Sequence, residues 1–431
     1  MTTPFRHYER SLELFEDARA LIPEGAQTNS KRPTAFAYGA YPIYLESASG
    51  CRVQDIDGNE FIDLVGGLGP ISLGYAYPDV DDAIRAQLPK GIISGLLSPL
   101  EVDVAKLLID LVPCAEQVRY FKGGGEATAA AARVARRFTG RELILNCGYR
   151  GWPDTWAAAA NDGGVPKALG DAIQSFAFND REGFERLVLS HPGQVAAIAI
   201  DTQVTPPESG YLAWLRDLAH EIGALLIFDE VVTGFRLANG GAQELFGVTP
   251  DLAVFAKGIA NGMPLAVVAG RSEVMAAMTD ALISITYGGE ALSLAAAKAT
   301  LTIYRDQPVV ETLWKRGRQL RDGLTRAAEM AHLPLVVEGF DPMTAMRFAG
   351  LSQVIINDAW SFLLQEMAER GVLLRRGGLN FISYSHQERD IDTVIEAATE
   401  VFAELSPLLT SDRVGERLCV RETASAFRSF A

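Results

Sequence analysis

Asp229 and Lys257 are the residues of this chain whose types and positions best suit chemistry. Each closes a short apolar run, Ala224 to Phe228 before the acid and Leu252 to Ala256 before the lysine. Neither run alternates with polar residues, which is the pattern of a strand buried on both faces of a parallel sheet. Such strands deliver the next residue to the carboxyl edge of the sheet, where open α/β sheets bind ligands. Taken singly, Asp229 reads as a helix cap or ion-pair partner, and Lys257 as a solvated charge. Taken together they are two charges at the ends of buried strands, and buried charge must be paired or neutralised. Burial favours the neutral amine of a lysine and makes it a Schiff-base nucleophile. The acid needs a buried cation, and a protonated pyridine nitrogen is one. A pyridoxal cofactor requires both an amine for its aldehyde and an acid at its ring nitrogen. Gly258 and Gly262 follow the lysine, so backbone can pass close to whatever it holds.

The stretch LLIFDEVVTGFR, followed by PDLAVFAKGIANGMPLAVVAG, resembles the core of class III aminotransferases, which are fold-type I pyridoxal 5′-phosphate (PLP) enzymes. Within that class it is most similar to the branch containing glutamate-1-semialdehyde 2,1-aminomutase and its aminotransferase relatives. The resemblance runs from about Pro23 to the last helices. It implies a Schiff base on Lys257, with Asp229 at the pyridine nitrogen and Tyr149 and Val231 bracketing the ring. It also implies a seven-stranded sheet and a homodimer with shared active sites.

Val118 to Phe121 reads as a strand, Lys122 to Glu126 as a glycine loop, and Ala127 to Phe138 as an alanine-rich helix. Free backbone N–H groups and a helix dipole at one place make an anion site. GxGxxG fails at Thr128 and no Walker lysine follows, which argues against a nucleotide and a nicotinamide oxidoreductase. The resemblance makes the ligand the cofactor phosphate, held by Gly124 and Gly125. Relatives carry hydroxyl residues in this loop, and here Gly123 and Gly125 lack them. The resemblance also places Thr286 at the phosphate of the neighbouring subunit's cofactor.

Other departures cluster where substrate is expected. Arg150 stands where histidine is common, Asp201-Thr202-Gln203 where relatives show Glu-Pro, and Glu290 in a Gly-Asn-Pro position. An acid that the aminomutase has near Gly378 is missing. Paired arginines, Arg375 and Arg376, stand there instead and suit bidentate carboxylate binding. Arg32, in a polar loop resembling the family's substrate entrance, is the other candidate clamp. Surface charge is the plain alternative for both clamps, and Arg150 reads as either structural or a cation near substrate. None of these departures is expected to touch the Asp229–Lys257 chemistry. Change confined to the substrate side favours an aminotransferase over the mutase, with an isomerase or epimerase as further alternatives.

The chain has 431 residues, enough for two domains, and its net charge of −15 argues against nucleic acid or an anionic membrane as a general partner. The expected division is an N-terminal segment (1–70), a large PLP-binding domain (71–308) and a C-terminal small domain (309–431). The fold class is α/β, with a mostly parallel sheet between helices in the large domain and an α+β small domain from the chain ends. Four cysteines without CxxC spacing suit a reducing compartment, and five scattered histidines suggest no metal site. The charged N-terminus lacks the apolar core of a signal peptide, and no apolar run is long enough to span a bilayer. A cytoplasmic location is expected.

Overall fold

The computed structural model describes residues 6–158, 163–202 and 204–420. Gln203, one of the substrate-side departures, lies outside the described residues. The chain divides into two compact units. One comprises the described residues of Met1–Leu68, Ser72–Tyr77 and Glu311–Ala431, and the other comprises Gly69–Ile71 and Pro78–Val310.

The terminal unit opens with helix Glu9–Leu21. A meander follows, formed by β1 (Leu45–Ser49), β2 (Arg52–Asp55) and β3 (Glu60–Asp63), with the Asp57-Gly58 turn between β2 and β3. Asp55 holds that turn, accepting the N–H groups of Asp57 at 3.0 Å and Asn59 at 2.7 Å.

The central unit is built on a sheet whose chain-order strands are β4 (Gln117–Phe121), β5 (Leu143–Cys147), β6 (Ile173–Ser175), β7 (Val195–Ile200), β8 (Leu225–Asp229), β9 (Leu252–Phe255) and β10 (Ala266–Gly270). Their spatial order is β4-β10-β9-β8-β7-β5-β6. The pairs from β6 through β9 are parallel, whereas β10 runs antiparallel to both β9 and β4. Apolarity along β10 matches that of its neighbours because both its faces are buried too, so its direction left no mark in the sequence. Every residue of β5, β7, β8 and β9 is buried. At roughly 1.5–3 kcal/mol for each large aliphatic side chain removed from water, these strands are the main source of the sheet's stability. Helix Gly124–Thr139 lays its alanine face (Ala127, Ala131, Ala135) on them, and those small side chains share one core with Ile144, Ile227 and Val254.

In the terminal unit, the C-terminal part adds β11 (Leu335–Phe340), β12 (Met343–Phe348), β13 (Val372–Leu373) and β14 (Leu379–Phe381). β13 extends the meander beside β3, and β11-β12-β14 form a separate antiparallel sheet. Helices Gln353–Glu369 and Glu388–Thr410 pack in this unit. No helix among the described residues is long and apolar enough to cross a membrane.

Candidate active site

Five strand ends of the central unit open on the same edge, because β4, β5, β7, β8 and β9 run in one direction. That edge receives the Gly123–Gly125 loop after β4, Gly148-Tyr149-Arg150 after β5, Asp201-Thr202 after β7, Asp229 at the end of β8, and Lys257 after β9. The sheet therefore brings together residues that lie far apart in the chain.

Asp229 is buried, and its Oδ1 accepts the Val231 N–H at 3.0 Å. Its Oδ2 accepts Nη1 of Arg150 at 3.0 Å. This corrects the sequence expectation on one point. Arg150 does not stay on the substrate side of the chemistry, and it touches the acid itself. The reason is topological: the loop after β5 and the end of β8 are separated in the sheet only by β7. Arg150 also donates to Cys147 O at 2.5 Å and lies 3.9 Å from Asp201 Oδ2, and its guanidinium carbon sits 5.6 Å from the centre of the Trp156 ring.

The neighbouring acid, Glu230, has a different task. Its carboxylate accepts the N–H groups of Ala242 and Gln243 at 2.8 and 2.9 Å and the Thr233 hydroxyl. Burial pushes its pKa up to about 7. It holds the turn after β8, and Asp229 alone of the pair faces Arg150.

Lys257 starts a single 3-10 turn, Lys257–Ala260, with its own φ at +48°. A non-glycine residue in left-handed backbone costs on the order of 1–3 kcal/mol and is concentrated at functional sites.

The helix after β4 begins at Gly124, three residues earlier than the alanine run suggests, with Gly123 as its N-cap. Its first N–H groups have no intrahelical acceptor. A Cβ on Gly124 would come within 3.0 Å of Val231 Cγ2 and 3.6 Å of Ala256 Cβ. Gly124 therefore lies against the neighbours in sequence of both Asp229 and Lys257. A Cβ on Gly125 would meet Arg150 O at 3.2 Å, so the two departures from the family pattern are physically coupled. Thr128 Oγ1 ties the same carbonyl down at 3.3 Å.

Tyr149 leaves 47% of its surface exposed and Val231 is partly buried. Thr286 is exposed in the turn before helix Ala291–Asp306. Glu290 caps that helix through the N–H groups of Leu292 and Ser293 and pairs with Lys122 Nζ at 3.0 Å. Sequence reading missed that pair, and no local signal marks it.

The two candidate clamp arginines belong to the terminal unit. Arg32 Nη1 pairs with Glu24 Oε2 at 3.0 Å. Arg376 is buried, not a surface charge, and donates to Asn357 O at 3.0 Å, Phe36 O at 2.6 Å and Ser361 Oγ at 2.8 Å. No group of three or more metal-binding side chains occurs among the described residues.

The strand-end edge fits a phosphorylated pyridine aldehyde. It offers a lysine, a buried carboxylate and helix N–H groups. It also buries four polar atoms without hydrogen-bond partners: Asn146 Oδ1, Arg150 Nε, Trp156 Nε1 and Thr202 Oγ1. A mostly parallel sheet with a lysine, an acid and an anion loop at its carboxyl edge is the arrangement of the PLP-dependent fold-type I class. The chain belongs to the class III aminotransferases, whose family model matches residues 35–400. Its cofactor is PLP.

The chain is 34% identical over 413 residues to 3-aminobutyryl-CoA aminotransferase of Cloacimonas acidaminovorans, covering 93% of this chain and 98% of the relative. It is 36% identical over 432 residues to glutamate-1-semialdehyde 2,1-aminomutase of Syntrophobacter fumaroxidans, covering 93% and 99%. Among solved structures it is similar to the PLP internal aldimine form of FumI from Sphingopyxis sp. MTA144, with TM-score 0.88, 26% identity, and coverage of 94% and 98%. An omega-transaminase from Sphaerobacter thermophilus gives TM-score 0.83 at 26% identity, with coverage of 92% and 97%.

Proposed function

We propose that this class III enzyme is an intermolecular aminotransferase, moving an amino group from a donor to a separate carbonyl acceptor. The observation that carries the reading is the set Lys257, Asp229 and the Gly123–Gly125 loop at one sheet edge, with departures from the mutase pattern grouped around it. When bound, PLP supplies an aldehyde that captures the amine and a ring that takes up electrons from the substrate's Cα–H bond. Lys257 Nζ is the amine that anchors the aldehyde carbon. With PLP bound, this amine would be the base that takes up and returns the substrate's Cα proton. Asp229 holds the ring nitrogen's proton. Tyr149 and Val231 bracket the ring, and the N–H groups of Gly124 and Gly125 bind the phosphate.

Of the two candidate clamps for a substrate carboxylate, Arg32 is favoured. Its Nη1 pairs with an exposed glutamate and its Nε donates to Asn29 O in its own loop, whereas both terminal nitrogens of Arg376 donate to distant parts of its unit. A homodimer in which Thr286 serves the neighbouring subunit's phosphate is supported by apolar side chains left largely exposed in the central unit: Leu96, Leu97, Trp152, Leu282 and Tyr287. A cytoplasmic location is supported by four cysteines with no disulfide among them.

The test is to add single amino donors to the PLP-loaded protein. A donor alone should bleach the visible absorption of the cofactor stoichiometrically, and a keto acid or aldehyde should restore it. Rapid conversion of glutamate-1-semialdehyde to 5-aminolevulinate with no added donor would replace this reading with the aminomutase. A stable monomer of full activity on size-exclusion chromatography would remove the dimer.

A further inference from the structure

We infer that Arg150 is a positioning residue that shares the Asp229 carboxylate with the cofactor's ring nitrogen, so that this chain holds that nitrogen less strongly protonated than Asp229 alone would. The inference rests on the PLP reading of the site. A carboxylate has about four lone-pair positions on its two oxygens. Val231 N–H takes one on Oδ1 and Arg150 Nη1 takes one on Oδ2, each at 3.0 Å. Room for a ring N–H remains, but the charge that would stabilise it is already facing a permanent cation. Both members of the pair are almost fully enclosed, so water screens little of that competition.

Charged groups among the described residues come to this pair from several strand ends. Asp201 reaches Arg150 from the end of β7, at 3.9 Å. Glu230 adjoins Asp229 and repels it. Lys257 comes from the end of β9. The Cys147 thiol beside Arg150 is pushed up to about 12 by burial and stays neutral. Arg150 Nη1 therefore faces two carboxylates, Asp229 at 3.0 Å and Asp201 at 3.9 Å, and the Asp201 charge partly offsets its own at the ring. A protonated ring nitrogen hydrogen-bonded to Asp229 would be a second cation on a carboxylate that already has one. A like charge at about 4–6 Å lowers the pKa of a protonated base by about one unit or more.

The loop is built to bring the arginine there. With Gly125 in place of a hydroxyl residue, Arg150 O can approach the first turn of helix Gly124–Thr139, where Thr128 Oγ1 holds it. The glycine and the arginine are thus one adaptation: the loop moves in, and the side chain reaches Asp229. How far the ring nitrogen is protonated sets how strongly the ring withdraws electrons from Cα. Arg150 is accordingly a control on that pull, acting through Asp229.

The experiment uses full-length enzyme reconstituted with PLP carrying ¹⁵N in the ring, and follows the ¹⁵N chemical shift against pH. Arg150→Gln should raise the ring-nitrogen pKa by about one unit or more. Asp201→Asn should lower it, because a carboxylate that offsets the Arg150 charge is gone. Arg150→Lys should lie nearer wild type than Arg150→Gln does. An arginine that only held the loop in place would leave Arg150→Lys and Arg150→Gln shifted alike. Identical ring-nitrogen protonation in wild type, Arg150→Gln and Asp201→Asn overturns the inference. If Arg150→Gln does not fold, Arg150→Met takes its place, and an unchanged or lowered ring-nitrogen pKa there overturns the inference. Failure of the PLP reading looks different: borohydride would fix no cofactor on Lys257 of the wild-type protein, and both readings would fall.

Discussion

Arg150 in the central unit and Arg376 in the terminal unit are equally buried, each 4% exposed, and each keeps a buried Nε without a hydrogen-bond partner. Their surroundings differ. Arg150 faces the carboxylates of Asp229 and Asp201, with one carbonyl behind it. Arg376 faces two carbonyls and a hydroxyl, so burial lowers its pKa to about 10 with only Asp358 opposing the shift. A buried cation between carboxylates is part of a charge arrangement that a ligand's charge can change. One held by neutral acceptors is a cross-link: Arg376 ties the segment at Phe36 to helix Gln353–Glu369. The comparison separates chemistry from architecture in a chain where both use the same side chain.

The largest expected effect lies on the chemical side. Lys257→Ala should abolish the protein's visible cofactor absorption and lower turnover by at least about 10²–10⁴-fold, since the residue proposed to move the proton is gone. Its circular dichroism should be unchanged, because alanine inherits the same left-handed backbone. A variant that still cycled amino groups would move the chemistry away from the strand-end edge.

Arg376→Ala should produce the reverse pattern. It removes three hydrogen bonds from a cation, each worth about 1.5–3 kcal/mol, and leaves buried acceptors unsatisfied. A stability loss of about 3 kcal/mol or more is expected in urea titration, with kcat/KM per folded molecule shifting equally for carboxylated and simple amine donors. A selective loss on carboxylated donors at unchanged stability would make Arg376 a clamp and erase the contrast with Arg150.

Two buried titrating groups sharpen the comparison between units through pH. In the terminal unit, burial lowers His386 from 6.5 to about 4, with its Nδ1 accepting the Ser383 N–H at 3.0 Å. The unfolded chain takes up that proton first, so stability is full above pH 6.5 and falls as pH drops toward 4. In the central unit, Glu230 is raised from 4.5 to about 7, so its contribution is full below 4.5 and is lost as pH rises through 7. Each span corresponds to on the order of 3 kcal/mol, with opposite sign. His386→Asn should therefore remove the acid-side loss and leave stability falling from pH 5 to pH 7. Parallel stability profiles for variant and wild type over that range would show that His386 is not held neutral.

The placement of the candidate residues was legible in the sequence wherever it depended on one strand and its end. The apolar runs before Asp229 and Lys257 specify buried parallel strands, and the sheet places both residues at its carboxyl edge. What escaped was set by neighbours distant in sequence. The contact of Arg150 with Asp229 spans 79 positions, and nothing within the Cys147–Gly151 loop announces it. Arg376 reads as a carboxylate clamp or a surface charge, yet packing draws it inside. Helix Gly124–Thr139 starts within the glycines because its N-terminus needs no side-chain cap when the β4 turn already fixes Gly123 as extended.

The smallest expected effect concerns Arg32, and it tests whether substrate recognition is separate from both buried arginines. Arg32 Nη1 lies 3.0 Å from Glu24 Oε2, and that glutamate is largely exposed. Such a pair is worth about 0–1 kcal/mol, because solvent screens it and two flexible side chains are held in place. A substrate carboxylate that takes over the guanidinium gains about 1.5–3 kcal/mol of charge-assisted hydrogen bonding and gives up little. Arg32→Ala should then reduce kcat/KM on a carboxylated donor by about tenfold or more, mainly through KM, while a simple amine donor is unaffected. Glu24→Gln should act in the opposite direction, lowering KM for the carboxylated donor alone, because it removes the competing charge and leaves the arginine in place. Urea stability should move in neither variant, in contrast to Arg376→Ala. Equal, small effects of Arg32→Ala on both donors would remove the clamp from this loop, and a raised KM in Glu24→Gln would show that the pair itself, not the arginine alone, shapes the entrance.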